Sequence, residues 1–414
     1  MALWISQAFS VFAVHLINFT LVILIFDLSE SAIMIGLLMV AISAPSVLLV
    51  AIAGAVSDRW NRQKILVTTN IIQAIAILGY FLVFDSIGGL LFVALINSSI
   101  AQFYIPTEAA TLPTLVKDRE LISANNLFTT TLYGGFIVGY AFAGPLVILF
   151  GKTFPFLLAA LMLFCAALAT TFLPSDEQQK ESEINIKKAV RDIVSDIKEG
   201  VVYIKKNKKV FFPTLRFAFS ITLLYIFLVL FPPYAKSVLG IGISDLSHII
   251  IWPAGSGLLV ASFLVESLTK KFGKSVMINF GLFICSAAML LMSFYSNIAV
   301  FEKFFSFGST EIGLLPIASI LAFFLGFGAT YILIPTQTQL QQATEGRLLG
   351  RVYSSIFLIA NIANVPIVLF TGTLIDLLSA KIIVLILSIL LLFISIKNCL
   401  ISLWQKLIFS IICK

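Results

Sequence analysis

Long apolar stretches recur along the whole sequence, and each has about the 20 residues that an α-helix needs to cross a bilayer. Hydrophobic residues make up 60% of the 414 positions and include 38 Phe, whereas charged residues make up 11%. A water-soluble chain of this size has no core that could bury so much apolar surface. The sequence therefore predicts an all-α polytopic membrane protein with 12 transmembrane helices. The predicted spans are 2–26, 33–56, 65–84, 88–112, 121–149, 152–173, 210–231, 245–269, 275–295, 312–338, 348–375 and 380–403.

Basic residues are distributed unevenly between the predicted loops. With the N-terminus placed in the cytoplasm, 22 of the 27 Lys and Arg residues lie on the cytoplasmic side. Four lie outside, namely Lys152, Lys236, Lys303 and Lys381. This asymmetry follows the positive-inside rule, so we expect a multi-pass protein of a bacterial inner (plasma) membrane with both termini cytoplasmic. The formal net charge of +7 then reflects topology and predicts no nucleic-acid partner.

A charged amphipathic segment separates two sets of six spans. Apolar residues in this segment recur at spacings of three and four, which predicts a helix on the membrane surface. We therefore predict an N-terminal six-helix half at 1–173, a cytoplasmic linker at 174–209, a C-terminal six-helix half at 210–405 and a cytoplasmic tail at 406–414.

The two predicted halves contain similar short motifs, which indicates an internal duplication. Ile105-Pro106-Thr107 in the fourth span recurs as Ile334-Pro335-Thr336 in the tenth span, at an offset of 229 residues. A weaker similarity relates residues 59–62 to residues 271–274, at an offset of 212. In each half this second motif follows the second span.

The segment between the second and third spans is dense in charged and polar groups. Gly54 lets two helices approach closely, and Asp58 can cap or pair at the start of a neighbouring helix. Arg59 and Arg62 anchor the segment on the cytoplasmic side. We expect Asp58, Arg59 and Arg62 to form a gating latch that stabilises one of two conformations and does not bind substrate. The segment reads Gly54-Ala55-Val56-Ser57-Asp58-Arg59-Trp60-Asn61-Arg62-Gln63-Lys64.

This segment resembles the signature between helices 2 and 3 of major facilitator superfamily transporters. That signature reads Gly, small or apolar residues, Asp, Arg, a spacer, Gly, Arg and another basic residue. Asn61 stands where Gly is usual, and Gln63 stands where a base is usual. Since Asn tolerates the left-handed backbone, we expect the turn at Asn61 to be kept. The resemblance implies two pseudo-symmetric halves and transport by alternating access.

Further stretches look like the drug-efflux branch of this superfamily, which includes macrolide exporters and the enterobactin exporter. They lie at residues 104–151, which include the stretch Pro106–Pro113, and at 231–240 and 349–355. This resemblance implies a secondary active transporter that exports a hydrophobic or amphipathic small molecule. A drug-like compound, a macrolide or a siderophore would fit.

Glu108 is the main candidate for a coupling residue, because ionisable groups inside hydrocarbon are costly and are usually kept for function. It follows Pro106 in the cytoplasmic third of the fourth span. Its carboxylate could line an aqueous cavity and take a proton, or it could pair with Lys117, Arg119 or an Arg of a cytoplasmic loop. We expect the protonation of Glu108 to couple to export.

Two other ionisable residues in the predicted spans have simpler interpretations. Glu266 is followed at i+4 by Lys270, which favours an ordinary ion pair at the membrane interface. Arg216 lies six residues into the seventh span, from where its side chain can snorkel to the inner surface.

Uncharged polar residues in the spans are candidates for the substrate cavity. His15 and Asn18 share a face near the middle of the first span, where His15 could relay protons or hydrogen-bond between helices. Gln102, Gln337 and Asn361 are amides in the fourth, tenth and eleventh spans. Such groups suit an amphipathic or apolar substrate that carries few fixed charges.

The fifth span is rich in small residues between positions 134 and 144. Exporters often carry a Gly-Pro pair there, and Gly139-Tyr140 occupies the corresponding positions. The small residues are compatible with an export-specific hinge or with plain helix packing.

Two other functions remain open from the sequence. A related branch transports lipids such as lysophospholipids with a similarly uncharged cavity. A membrane-embedded transferase is less favoured, because no paired Asp motif, His cluster or Ser/His/Asp set lies at a membrane face. We expect a monomer that is not an enzyme, has no cofactor or metal, and has a small molecule, the lipid bilayer and protons as its partners.

Overall fold

The computed structural model describes residues 1–117, 120–174, 186–295, 315–344 and 349–412. These residues are 93% helical and include no strand. Twelve helices within them are long and apolar enough to cross a membrane. The predicted all-α architecture with 12 spans is therefore confirmed, and the chain is a multi-pass membrane protein.

The N-terminal part of the chain forms seven helices within the described ranges. Six are candidate membrane spans, and the seventh is the amphipathic helix that the spacing of apolar residues predicts. They are α1 (Ala2–Ser29), α2 (Ala32–Arg59), α3 (Arg62–Leu78), α4 (Ile87–Leu115), α5 (Leu121–Phe150), α6 (Phe154–Thr171) and α7 (Ile186–Lys206).

The remaining described helices also give six candidate spans. α8 continues into a π-helical turn at Ala235–Leu239, and a second π-helical turn at Ser247–Ile251 leads into α9. The helices are α8 (Lys208–Tyr234), α9 (Trp252–Phe272), α10 (Lys274–Ser293), α11 (Leu315–Ala343), α12 (Leu349–Leu378) and α13 (Ala380–Ile412).

The charged segment after the second span is mostly helical, although residues 57–64 lie between two predicted spans. α2 ends at Arg59 and α3 begins at Arg62, so only Trp60 and Asn61 lie between them. Asn61 has φ −59° and is therefore not left-handed as expected. The reason is that Asn61 is the N-cap of α3, and its side chain accepts a hydrogen bond from the backbone N–H of Lys64 at 3.0 Å.

Contacts divide the chain into two units. The first comprises Met1–Val201 together with Phe357–Leu369 from α12. The second comprises Val202–Ile356 and Phe370–Lys414. The division after Val201 falls inside the predicted linker, near the end of α7. The domain boundaries drawn from the sequence stay predictions.

The same helix pairs pack together inside each unit. In the first unit, α4 packs against α2 and α3, and α3 also packs against α6. In the second unit, α11 packs against α9 and α10, and α10 also packs against α13. Each of these pairs joins helices that occupy equivalent places in the two predicted six-helix sets, as expected for a duplicated unit.

Glycines allow close helix contacts in both units. In the second unit, a Cβ added at Gly257 of α9 or at Gly326 of α11 would overlap the backbone of the other helix. In the first unit, a Cβ at Gly135 of α5 would lie 2.6 Å from Val11 Cγ1, and one at Gly139 would lie 2.8 Å from the backbone nitrogen of Leu16. Gly135 and Gly139 of the fifth span therefore pack against α1, which favours helix packing as the role of these two residues.

Candidate functional site

Glu108 has a tyrosine hydroxyl as its partner. Tyr104 and Glu108 lie one turn apart on α4, and the Tyr104 hydroxyl donates to Glu108 Oε1 at 3.1 Å. Tyr104 is 7% exposed and Glu108 is partly buried. Among the residues that the structure describes, Glu108 forms no ion pair. Lys117, one of the expected partners, is exposed, and Arg119 lies outside the described residues.

The Tyr104 hydroxyl also connects α4 to α1 and α6. Ser6 Oγ of α1 lies 3.3 Å from Tyr104 Oη. The same Ser6 oxygen lies 3.0 Å from Thr170 Oγ1 of α6. Both Ser6 and Thr170 are completely buried, so their hydroxyl groups need hydrogen-bond partners within the protein.

α3 completes this group of polar residues. Ser10 Oγ of α1 donates to Asn70 Oδ1 at 2.9 Å, and Asn70 Nδ2 donates to Ser6 Oγ at 3.4 Å. Asn70 is completely buried. Side chains of four helices are thereby joined in one hydrogen-bonded cluster. We call it the Tyr104 network and define it as Ser6, Ser10, Asn70, Tyr104, Glu108 and Thr170.

Buried amides on α1 and α3 have unsatisfied atoms. Gln7 Oε1 of α1 and Gln73 Nε2 of α3 have no hydrogen-bond partner within the described residues. Gln7 is 4% exposed and Gln73 is 2% exposed. Because a buried polar atom without a partner is costly, α1 and α3 carry more polar groups than their packing alone would favour. A concentration of this kind is typical of a functional region of a membrane protein.

His15 lies among aromatic rings and away from Glu108. Its ring is 5.0 Å from the ring of Phe136 and 5.9 Å from that of Tyr140, both on α5. His15 Nδ1 is buried and has no hydrogen-bond partner within the described part of the chain. His15 follows Ser6 by nine residues on α1, which corresponds to about 13 Å of helical rise. Asn18 is partly buried on the same helix.

The charged signature holds helix ends together inside the first unit. Arg62 Nη1 donates to the carbonyl oxygen of Ala110 on α4 at 3.1 Å. Gln63 Nε2 donates to the carbonyl oxygens of Thr171 and Leu173 at the end of α6, each at 2.8 Å. Gln63 thus supplies hydrogen-bond donors at the position where the superfamily signature has a base.

The structure describes three other residues of the signature, one of them only in part. No described atom lies within 4 Å of a Cβ added at Gly54, and the expected close approach of two helices there stays a prediction. Arg59 is partly buried at the end of α2. Asp58 lies in the last turn of α2, and its side chain lies outside the described residues. The gating latch stays a prediction.

The candidate amides do not share one contact. Gln102 Nε2 donates to the carbonyl oxygen of Ser98 on its own helix at 3.2 Å. Asn361 Nδ2 donates to Ser46 Oγ at 3.2 Å, within the first unit. Gln337 is partly buried on α11 in the second unit. None of these contacts links the amides to Glu108 or His15.

The second unit contains its own polar contacts near the end of α11. Arg216 Nη1 of α8 hydrogen-bonds Gln339 Oε1 at 3.4 Å, so this guanidinium has a side-chain partner in the span. Lys274 Nζ, at the start of α10, hydrogen-bonds Gln342 Oε1. This contact parallels the one from Arg62 to α4, because both bases begin the third helix of a set and reach the fourth. Glu266 and Lys270 form the expected ion pair at 2.6 Å.

Sequence reasoning found Glu108 but missed the other five members of the Tyr104 network. Ser6 and Ser10 carry a usable signal, because polar residues four apart in an apolar helix share one face. Tyr104 also lies four residues before Glu108. Asn70 follows Thr69, and Thr170 precedes Thr171. Which of these polar residues joins the network depends on which helices are neighbours.

Comparison with protein families matches residues 3–366 to the Major Facilitator Superfamily. Two similar curated proteins come from Bacillus subtilis (strain 168) and carry the names uncharacterized MFS-type transporter YfiS and YkuC. The alignment with YfiS is 23% identical over 181 residues, which is 44% of this chain and 43% of the relative. The alignment with YkuC is 24% identical over 179 residues, which is 40% of each protein. The chain therefore spans less than half of the length of these relatives.

Solved transporter structures share the fold over almost the whole chain. The crystal structure of the nucleoside transporter NupG has a TM-score of 0.69 at 14% identity and covers 96% of this chain and 97% of that chain. A POT family transporter in complex with a thioalcohol-conjugated peptide has a TM-score of 0.63 at 13% identity and covers 97% of this chain and 95% of that chain. At such low identity the likeness concerns the fold alone.

Proposed function

Because the chain belongs to the Major Facilitator Superfamily, we propose that it is a secondary active transporter that exports a hydrophobic or amphipathic small molecule. Transport proceeds by alternating access and is coupled to protons. The family consists of transporters. We propose that transport by this chain needs no bound cofactor. A bacterial inner membrane with both termini in the cytoplasm is part of the proposal, because the distribution of basic residues favours it.

The observation that carries proton coupling is the environment of Glu108. A carboxyl group inside a membrane span is costly and is usually kept for function. The partner of Glu108 is the Tyr104 hydroxyl at 3.1 Å, and none of the described cations pairs with it. Such a carboxyl can bind and release a proton without breaking an ion pair. Gln337, its counterpart at the repeat offset of 229, cannot titrate, so one half alone would carry the coupling group.

The amides of the spans support a substrate with few fixed charges. Gln102, Gln337 and Asn361 offer hydrogen bonds but no charge.

One observation favours lysophospholipid transport as the second candidate. Arg216, inside a span of the second unit, bonds the uncharged Gln339, and a guanidinium with such a partner is suited to a phosphate head group.

Transport in sealed inverted vesicles tests the export proposal. Radiolabelled erythromycin represents the amphipathic class, lysophosphatidylethanolamine the lipid class and uridine a nucleoside, the class transported by NupG. We expect erythromycin to accumulate when the vesicle interior is made acidic, and to a smaller extent without a pH gradient. If the pH gradient drives movement of the lipid or of uridine and not of erythromycin, the class of that compound replaces the proposed substrate class. If none of the three moves, export of an amphipathic compound is contradicted.

Replacement of the carboxyl group tests the coupling role of Glu108. Glu108→Gln should abolish the dependence of erythromycin accumulation on the pH gradient but should preserve downhill exchange, because substrate binding needs no charge there. Glu266→Gln is the matched control, since Glu266 is an exposed carboxylate paired with Lys270, and its gradient dependence should equal that of the wild type. Unchanged gradient-driven transport by Glu108→Gln would reject the coupling role and leave His15 as the next candidate.

A further inference from the structure

We propose that Tyr104 positions the Glu108 carboxyl group and transmits its protonation state to α1, α3 and α6 through the hydrogen bonds of the Tyr104 network. The inference rests on the proposed coupling role of Glu108 and extends it to residues that are uncharged at neutral pH. It makes Tyr104 and Ser6 positioning residues, because they act through Glu108 and not on a substrate.

The single proton of the Tyr104 hydroxyl is the basis of this proposal. An ionised carboxylate only accepts hydrogen bonds, whereas a protonated carboxyl group can also donate one. Tyr104 Oη lies between Glu108 Oε1 at 3.1 Å and Ser6 Oγ at 3.3 Å. When Glu108 is ionised, the Tyr104 proton must point to Glu108. When Glu108 is protonated, it can donate to Tyr104, which is then free to donate to Ser6.

The rest of the network depends on the direction of this bond. Thr170 Oγ1 donates to the carbonyl oxygen of Ala166, so Thr170 accepts from Ser6 in the contact at 3.0 Å. Ser6 has one proton, and both Thr170 and Tyr104 lie within its reach. When Glu108 is protonated, Glu108 donates to Tyr104, Tyr104 donates to Ser6 and Ser6 donates to Thr170. Each of the three contacts then contains one proton. With Glu108 ionised, Tyr104 and Thr170 compete for the proton of Ser6.

The network therefore has two hydrogen-bond arrangements that differ by one proton. In one arrangement, α4, α1 and α6 are joined by a continuous chain of donors and acceptors. In the other arrangement, one contact of that chain lacks a proton. α3 follows the change, because Asn70 Nδ2 donates to the same Ser6 oxygen. A change of charge on α4 can thus alter how firmly three neighbouring helices are held.

The charged groups around Glu108 are compatible with this role. α3 brings Arg62, which donates to the carbonyl oxygen of Ala110 two residues after Glu108. α2 carries Asp58 and Arg59 in its last turn. α1 contributes hydroxyl and amide groups at this depth. Its titratable residue His15 lies about 13 Å further along the helix, and Asp27, near the other end of α1, pairs with Lys152. A tyrosine hydroxyl is therefore the direct partner of Glu108, with the cations placed at the helix ends.

Labelling of Glu108 by dicyclohexylcarbodiimide tests the inference without a transport substrate. This reagent modifies protonated carboxyl groups in apolar surroundings, and mass spectrometry of the peptide that contains Glu108 measures the extent of labelling at each pH. The full-length protein in detergent would be labelled between about pH 5 and pH 9, a range that brackets the titration of shifted carboxyl groups. The variants are Tyr104→Phe and Ser6→Ala. The matched control is Tyr80→Phe, because Tyr80 is completely buried and its hydroxyl has no partner among the described residues.

We expect Tyr104→Phe to move the midpoint of labelling to higher pH by about one unit, because the carboxylate loses its hydrogen-bond donor. Ser6→Ala, which does not touch Glu108, should also move the midpoint. Tyr80→Phe should label like the wild type. If Tyr104→Phe fails to fold, as judged by size-exclusion chromatography, Ser6→Ala decides. If Ser6→Ala fails to fold, Thr170→Val takes its place, because Thr170 contacts Ser6 and not Glu108.

Wild-type midpoints in both Tyr104→Phe and Ser6→Ala would overturn the inference but leave the coupling role of Glu108 intact, provided that Glu108→Gln still abolishes gradient dependence. A shift in Tyr104→Phe with a wild-type midpoint in Ser6→Ala would confine the effect to one hydrogen bond and reject transmission through the network. Absence of any labelling at Glu108, together with normal transport by Glu108→Gln, would reject the proposed function itself.

Discussion

Gln63 is an uncharged residue at a position of the signature that is usually basic. The Gln63 amide donates to two carbonyl oxygens at the end of α6, where a helix leaves its last carbonyl groups without partners. A lysine could supply the same donors with a charge. Gln63 therefore keeps the contact between the start of α3 and the end of α6 while it reduces the positive charge of the segment. The same segment uses Asn61 to cap α3 in place of a glycine turn.

Removal of the Gln63 donors should destabilise the protein. Gln63→Met keeps the length of the side chain but leaves two carbonyl oxygens without their donors, which costs about 1–2 kcal/mol. Thermal unfolding in detergent should show a lower midpoint. Gln341→Met is the control, since Gln341 is exposed on α11 and its side chain forms no hydrogen bond within the described residues. Equal midpoints for the two variants would show that Gln63 does not hold α6.

At the scale of single helices, α1 contacts its neighbours through two kinds of residue. Toward α5, Gly135 and Gly139 let the helices touch along their backbones. Toward α4 and α6, Ser6 provides hydroxyl contacts. Close backbone packing gives van der Waals contact, whereas the hydroxyl contacts can change with protonation. The contact of α1 with α5 therefore depends on close packing, whereas its hydrogen bonds with α4 and α6 can change with the protonation of Glu108.

A methyl group at the α5 contact should separate α1 from α5. In Gly139→Ala the added Cβ would lie 2.7 Å from His15 Cβ and 2.8 Å from the Leu16 backbone nitrogen. Backbone atoms cannot give way as a side chain can, so we expect a loss of about 1–3 kcal/mol. Gly134→Ala is the control, because no described atom lies within 4 Å of its added Cβ. Thermal unfolding in detergent measures both, and a Gly139→Ala protein as stable as Gly134→Ala would contradict the close contact.

At the scale of the whole molecule, the described helices repeat one packing scheme in two units. α4 and α11 each contact the second and third helices of their set. A basic side chain at the start of α3 and α10 reaches α4 and α11, respectively. The scheme agrees with duplication of a six-helix unit, for which an even number of spans places both ends of the chain on one side of the membrane.

Labelling at the two ends of α4 tests the orientation of the chain. Asp85 and Lys117 are exposed at opposite ends of this helix. In a protein whose native cysteines are replaced, Asp85→Cys should react with an impermeant maleimide added to intact cells, and Lys117→Cys should react only after the membrane is opened. The expectation follows from the positive-inside rule. Reaction of Lys117→Cys alone in intact cells would reverse the orientation.

Much of the fold follows from the sequence, because the length and apolar character of a span are local properties. The 12 spans could therefore be found without knowledge of their neighbours. The superfamily signature could be found for the same reason, since its residues are contiguous. Glu108 could be identified as a candidate because a carboxyl group in an apolar helix is unusual wherever that helix packs.

The partners of these residues depend on tertiary structure. A span that is apolar all round has no amphipathic stripe to show which face is turned inward, so the sequence by itself could not pair Tyr104 with Ser6 or Ser6 with Thr170. It also could not place Gln63 against the end of α6. These contacts join residues more than 90 positions apart, and only the packing of α1, α3, α4 and α6 brings them within hydrogen-bonding distance. The sequence alone determined the helices and the family, whereas the packing decided which polar groups meet, because a hydrogen bond depends on distance and direction between side chains of different helices.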